Sequence, residues 1–201
     1  MHVPTVSIAL TVTSGGSNTG AGARARTRRA IIESATAVLS RTPDASLGTI
    51  ARAAGVGRTT VHRHFPDRDA LVRAIADAAM DATRDAYAAA HLDDGPPIDA
   101  RARLGHELVA LGDRFAFLLR EPALVGDPAV DATEREMAAP IVVLIERGRA
   151  SGALRDDLPV TWVLEVLMAA VYAAWGAIAR GVLARADAPA AVTRTVLDGI
   201  S

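Results

Sequence analysis

The sequence predicts an all-α fold, on three observations. Alanine, the best helix former, fills 43 of 201 positions. Aromatic residues, which favour strands, make up only 3%. From Ala30 onward apolar residues recur at spacings of three and four, and no alternating run breaks the pattern. The expected organisation is a tail over residues 1–20, a three-helix N-terminal domain over 21–66 and a longer helical domain over 67–201.

The elements follow in order. Residues 1–20 carry no charged side chain and turn Gly-, Ser- and Thr-rich after Val12. They read as a disordered tail or an upstream start, since the apolar Val6–Val12 run lacks the basic flank of a secretion signal. Ala30, Ile31, Ala35, Val38 and Leu39 form the stripe of a first helix that stops before Thr42-Pro43. Ser46 precedes a short helix that Gly55 ends. A second short helix, Arg58 to His64, ends at Phe65-Pro66, and Asp67 caps a long one running to about Ala90. The ladder Leu104, Leu108, Leu111, Phe115, Leu118 marks a fifth helix ending at Glu121-Pro122. A sixth runs from about Asp131 to Ala150, with Pro140 expected to kink or break it. The most apolar helix spans about Pro159 to Arg185, and a last one about Pro189 to Gly199.

Composition narrows function. With no cysteine there is no disulfide framework, no thiolate metal site and no cysteine nucleophile. The apolar run at Trp162–Ala179 is interrupted by Glu165 and Gly176 and followed by Arg180, which disfavours a membrane span. Net charge is −1, yet it is unevenly placed. Ala21–Phe65 holds eight Arg against Glu33 and Asp44, whereas the chain from Leu92 onward holds eleven Arg against sixteen acids. A basic head on an acidic body suggests a polyanion partner for the head.

The segment Ser46 to Phe65 has the grammar of a helix-turn-helix. Ala51 is small where two helices cross, Gly55 permits the left-handed turn, and Val56 and Val61 plug the shared core. Arg58, Thr59, Thr60, His62 and Arg63 then face outward, with residue types that suit a major groove: Arg for guanine edges, Thr for phosphate or a thymine methyl, His for phosphate. Ser46, Thr49, His64 and Arg68 are candidate phosphate contacts, and Arg24 and Arg28 a basic arm or merely a solvated helix start. Read without nucleic acid, the same pattern is a packing motif.

Over Arg26 to Ala76, the residues Ile50-Ala51, Ala54-Gly55-Val56, His64-Phe65-Pro66 and Arg68-Asp69-Ala70-Leu71 resemble the N-terminal domain of tetracycline-repressor (TetR) family regulators. The resemblance implies an all-helical cytoplasmic homodimer that binds a double-stranded operator and releases it when a small molecule fills the body. It departs from the family pattern at His62, where a Tyr is usual, and at Arg68, where a Lys is usual. Both keep a donor, and His62 introduces a possible pH sensitivity.

In the body, the helix around Trp162–Leu183 is apolar nearly all round, so a partner subunit is expected to cover part of it. Val163, Val166, Leu167, Ala170, Val171, Ala174, Ile178 and Val196 are the expected dimer interface. Phe115, Leu119, Met137, Ile141, Leu144, Met168, Tyr172 and Trp175 could line an apolar pocket, with His106, Arg114 or Glu146 as polar anchors. Core packing is the plainer reading of each. Apolar walls in an acidic body favour an apolar or amphipathic effector and disfavour strongly anionic ones.

Three function classes follow. The leading one is a ligand-responsive transcriptional repressor, with no cofactor and no metal. The second is an effector-blind or architectural DNA-binding protein with a filled body. The third, a helical-bundle enzyme, finds no Glu-x-x-His pair, H-E-x-x-H, P-loop or G-x-S-x-G in the sequence.

Overall fold

A computed structural model describes residues 18–124 and 127–200; the side chains of Asn18, Thr19, Asp113, Arg114, Leu119, Val130, Asp131, Glu134 and residues 197–200 are outside that description. The expected tail over 1–20 therefore lies outside it up to residue 17, and residues 18–20 belong to the first helix. Among the described residues the chain forms eight α-helices, one 3-10 helix and no strand. They are α1 (Asn18–Leu39), α2 (Leu47–Ala53), α3 (Arg58–His64), α4 (Arg68–Ala90), α5 (Pro97–Phe115), α6 (Pro128–Ala150), α7 (Val160–Ala179) and α8 (Ala188–Ile200), with the 3-10 turn at Ala116–Arg120.

Two apolar cores form. The first packs Ile31, Ala35 and Leu39 of α1 with Ile50 and Val61 of the two short helices, Phe65 just after α3, and Leu71 and Ile75 of α4. Ala30, expected on that stripe, is exposed. The second packs Leu104 and Leu108 of α5 with Ile141 and Leu144 of α6, Leu167, Val171 and Trp175 of α7, and Val192 and Val196 of α8. The leucine ladder of α5 runs between them: Leu104 and Leu108 are in the body core, Leu111 touches both cores, and Phe115 and Phe117 are in the head core. α4 and α5 together join head to body.

Helix ends obey local chemistry. Asp67 caps α4 by accepting from the Ala70 amide at 2.7 Å, and Asp127 caps α6 by accepting from the Ala129 amide. The α4–α5 turn, at whose start His91 adopts a left-handed φ of 46°, is held by two arginines. Arg103 donates to the carbonyls of Ala90, His91 and Asp94, and Arg147 to those of Leu92, Asp93 and Gly95. Asp93 and Asp94, acids on the surface, thus sit in a turn secured through its carbonyls.

Two boundaries differ from expectation. α6 continues through Pro140 because that residue is on the exposed face, where water can satisfy the carbonyl its missing N–H leaves free. α7 stops at Ala179, short of Arg185. Gly181 takes a φ of +69°, and the Val182 and Gly181 amides turn back to the carbonyls of Ala177 and Ile178.

Candidate nucleic-acid interface and effector body

α2 and α3 form the predicted helix-turn-helix. Ser46 Oγ accepts from the Thr49 amide at 3.2 Å and lies 3.1 Å from Thr49 Oγ1, so both hydroxyls secure the start of α2. Gly55 has the left-handed φ of +66° that the turn needs. Val61 and Phe65 face inward. This leaves Arg58, Thr59, His62 and Arg63 exposed on α3, with Thr60 and His64 half-buried.

Arg58 does not project freely. Its guanidinium lies across Gly48 of α2, so close that a Cβ there would meet Nε at 2.9 Å. Arg58, Arg52, Ser46 and Gly48 line an open groove between the two helices. Arg52 was not singled out from sequence, although its place on the exposed side of α2 follows from buried Ile50 and Ala51. His62 turns Nδ1 to the Pro66 carbonyl at 3.4 Å.

The exposed arginines of α1 flank this face. The Arg28 guanidinium stands 5.2 Å from the centre of the Phe65 ring, a cation–π contact that fixes its stem beside α3. Partial burial, then the charges of Arg24, Arg63 and Arg28, push the His64 imidazole below its ordinary value. Arg24, Arg28 and Arg63 therefore form one positive cluster around the His64 imidazole.

Arg68, expected as a phosphate contact, is engaged within the chain. Its Nη1 and Nη2 donate to Glu121 Oε2 and Oε1 at 2.7 and 2.8 Å, and Nη2 also donates to the Pro43 carbonyl at 2.8 Å. Glu121 is only 5% exposed and sits where the 3-10 turn ends. The pair ties the start of α4 to the end of the 3-10 turn. Glu121 closes the ladder of α5, but its contact with a residue 53 positions away has no local signal.

In the body the expected pocket residues separate. Phe115 belongs to the head core, which it reaches because the ladder of α5 outruns the body. His106 is exposed on α5, opposite the buried stripe, as is Glu146 on α6. The side chains of Leu119 and Arg114 are outside the description. Met137 is buried, and Met168 and Tyr172 pack against the body core. Trp175 is core: Nε1 donates to the Leu108 carbonyl at 3.1 Å and the ring lies on Gly112. Ile141 and Leu144 do line a cavity, together with Val163, Leu167 and Val196, which were expected at the dimer interface.

The interface expectation needs correcting accordingly. Val163, Leu167, Val171, Ala174 and Val196 are buried within the subunit because α5 and α8 pack on that side of α7. Val166, Ala170 and Ile178 are half-buried. The face left open carries Trp162, which is 56% exposed, with Val166, Ala169 and Ala173 at helical spacing. α7 is long and apolar enough to cross a membrane by length and composition, and 28% of its most apolar stretch is buried.

Comparison with known proteins gives concordant matches. Residues 31–75 match the family model for bacterial regulatory proteins of the tetR family. The chain is 38% identical to the HTH-type transcriptional repressor LfrR of Mycolicibacterium smegmatis over 160 residues, spanning 80% of this chain and 83% of that protein. It is 27% identical to the HTH-type transcriptional regulator NfxB of Pseudomonas aeruginosa over 169 residues, spanning 83% and 90%. A crystal structure of LfrR from Mycobacterium smegmatis in complex with proflavine superposes with a TM-score of 0.76 at 34% identity, covering 88% of this chain and 98% of that one.

Proposed function

The chain belongs to the TetR family of bacterial regulatory proteins, and from that premise we propose that it is a cytoplasmic repressor released from a pseudo-palindromic operator by a small apolar or amphipathic molecule. The observation that carries the proposal is the outward face of α3. Arg58, Thr59, Thr60, His62 and Arg63 stand there on a helix too short to need them for its own stability, beside the Arg24, Arg28 and His64 cluster. In this reading Arg58 and Thr60 read bases, while Arg24, Arg28, His62, His64 and the α2 start at Ser46 and Thr49 hold phosphate.

The working unit is a homodimer. Trp162, Val166, Ala169 and Ala173 form its contact, which spaces two α3 helices by about 34 Å or a multiple, one turn of DNA. Three residues separate α3 from α4, which reaches the body core, and Arg68–Glu121 ties its start to the end of the 3-10 turn. A ligand that parts the body helices therefore acts on the heads through α4. The LfrR structure holding proflavine supports a small-molecule effector.

Reciprocity supplies the test. A coupling of about 1–3 kcal/mol makes operator DNA weaken inducer binding about 5–150-fold, and inducer weaken operator binding equally. Body-binding compounds whose affinity ignores the operator would leave an effector-blind DNA-binding protein instead.

A further inference from the structure

Arg68 stands where three segments meet. It is the first residue of α4, and its Nη1 and Nη2 donate to Glu121 Oε2 and Oε1 at 2.7 and 2.8 Å. Nη2 also donates to the carbonyl of Pro43, in the connection between α1 and α2, at 2.8 Å. Glu121 follows the 3-10 turn, which continues α5 without a break, and α5 reaches the body core through Leu104 and Leu108. One guanidinium therefore joins the helix-turn-helix, the start of α4 and the far end of α5 at a single point.

α4 runs from head to body and α5 runs back, packed against it. Arg103 and Arg147 secure the turn between them at the body end, and Arg68 with Glu121 closes the pair at the head end. Around this clamp, Phe115 and Phe117 pack into the head core beside Ile75 and Ala79 of α4. Apolar contact is non-directional and holds those surfaces together over a range of angles, whereas a planar two-pronged pair fixes both distance and angle. Burying the Glu121 carboxylate is costly, and such a pair stabilises no more than apolar groups of the same volume would. Its best-attested use is to select one arrangement among several. We propose that Arg68 is a positioning residue that sets the half-site spacing of the operator. By holding the helix-turn-helix at one angle to the α4–α5 pair, it makes the dimer accept one separation of its two α3 helices. This deepens the regulator reading above and rests on it. One base pair more or fewer moves the second half-site about 3.4 Å along the duplex and about 35° around it. A clamped head loses that misfit site, and a loose head follows it.

The test uses the full chain and duplexes carrying two inverted copies of the half-site that it selects from random-sequence DNA. The copies are placed at the selected spacing and at one and two base pairs more or fewer. The wild type should lose roughly 10-fold or more in affinity per base pair of misfit. Arg68→Met/Glu121→Met, which removes both charges and strands neither, should shrink that loss to about 3-fold or less. Its affinity for a single half-site and its salt slope should not change. Arg73→Ala removes an exposed charge further along α4, 3.6 Å from Asp127, and should keep the wild-type profile. A double variant with the wild-type spacing preference overturns the proposal, as does loss of that preference in Arg73→Ala. A double variant that loses half-site affinity and salt slope together also overturns it, because Arg68 would then hold phosphate. If the double variant fails to fold, Arg68→Lys, which keeps the charge without the fork, carries the test with the same outcomes. A second readout needs no DNA. The chain has no cysteine, so spin labels can be placed at Arg41→Cys in the head and at Val143→Cys in the body, both exposed positions. Their distance distribution should be narrow in the wild-type background and broad in the double variant; equally narrow distributions overturn the proposal. That broadening in a chain that selects no inverted repeat supports the clamp and counts against the regulator.

Discussion

His64 is half-buried at the end of α3, facing the arginines at positions 24, 28 and 63. Partial burial and those charges hold its imidazole below 6.5, so the free protein carries it neutral at pH 7. The sign for folding follows. The unfolded chain binds the proton more readily, so this contribution to stability is present above about pH 6.5 and is lost as pH falls below it. DNA reverses the local field, since phosphates neutralise the arginines and favour the imidazolium. Operator affinity should therefore rise on acidification from about pH 7 to about pH 5.5, with less rise in His64→Asn. Identical pH slopes for the two proteins would deny His64 a phosphate. Arg68 should behave otherwise. Replacing it with Met strands the Glu121 carboxylate and should cost about 2 kcal/mol in denaturant unfolding, partly restored by Glu121→Met. The salt slope of DNA binding should not change, whereas losing a true phosphate contact lowers it by about one.

Among the elements, α5 and α7 meet at one close contact. A Cβ on Gly112 would stand 1.7 Å from Trp175 Cδ1, so glycine there admits the indole against the α5 backbone. Gly112→Ala gains about 1 kcal/mol of helix propensity but must expel the ring, and a net loss of about 2 kcal/mol is expected. Expulsion also breaks the Trp175–Leu108 hydrogen bond. The fluorescence of Trp175, isolated by Trp162→Phe, should shift to the red; an unshifted spectrum with unchanged stability would mean that the contact relaxes at no cost.

At the scale of the molecule, the two sides of α7 make opposite predictions. Val171 is 0% exposed inside the subunit, so Val171→Arg should prevent folding. Ala173 is exposed, so Ala173→Arg should leave a folded chain but place unpaired charges in the subunit contact. Light scattering should find a monomer, and operator binding should fall with it. A dimer of unchanged affinity would move the interface off this face.

What the sequence determined by itself is local. The apolar spacing, the caps at Ser46 and Asp67, and Gly55 specify helices and the helix-turn-helix from interactions within a few residues. The outward face of α3 follows from the same periodicity, since Val61 and Phe65 leave Arg58, Thr59, His62 and Arg63 the other side. Only the tertiary structure decided which partner each side chain meets. It sent Arg68 to Glu121, Phe115 to the head core and Val163, Leu167 and Val196 to the interior. An all-round apolar helix such as α7 does not encode which face meets its own chain. That choice rests on the shapes of α5 and α8, which pack against it from distant parts of the sequence.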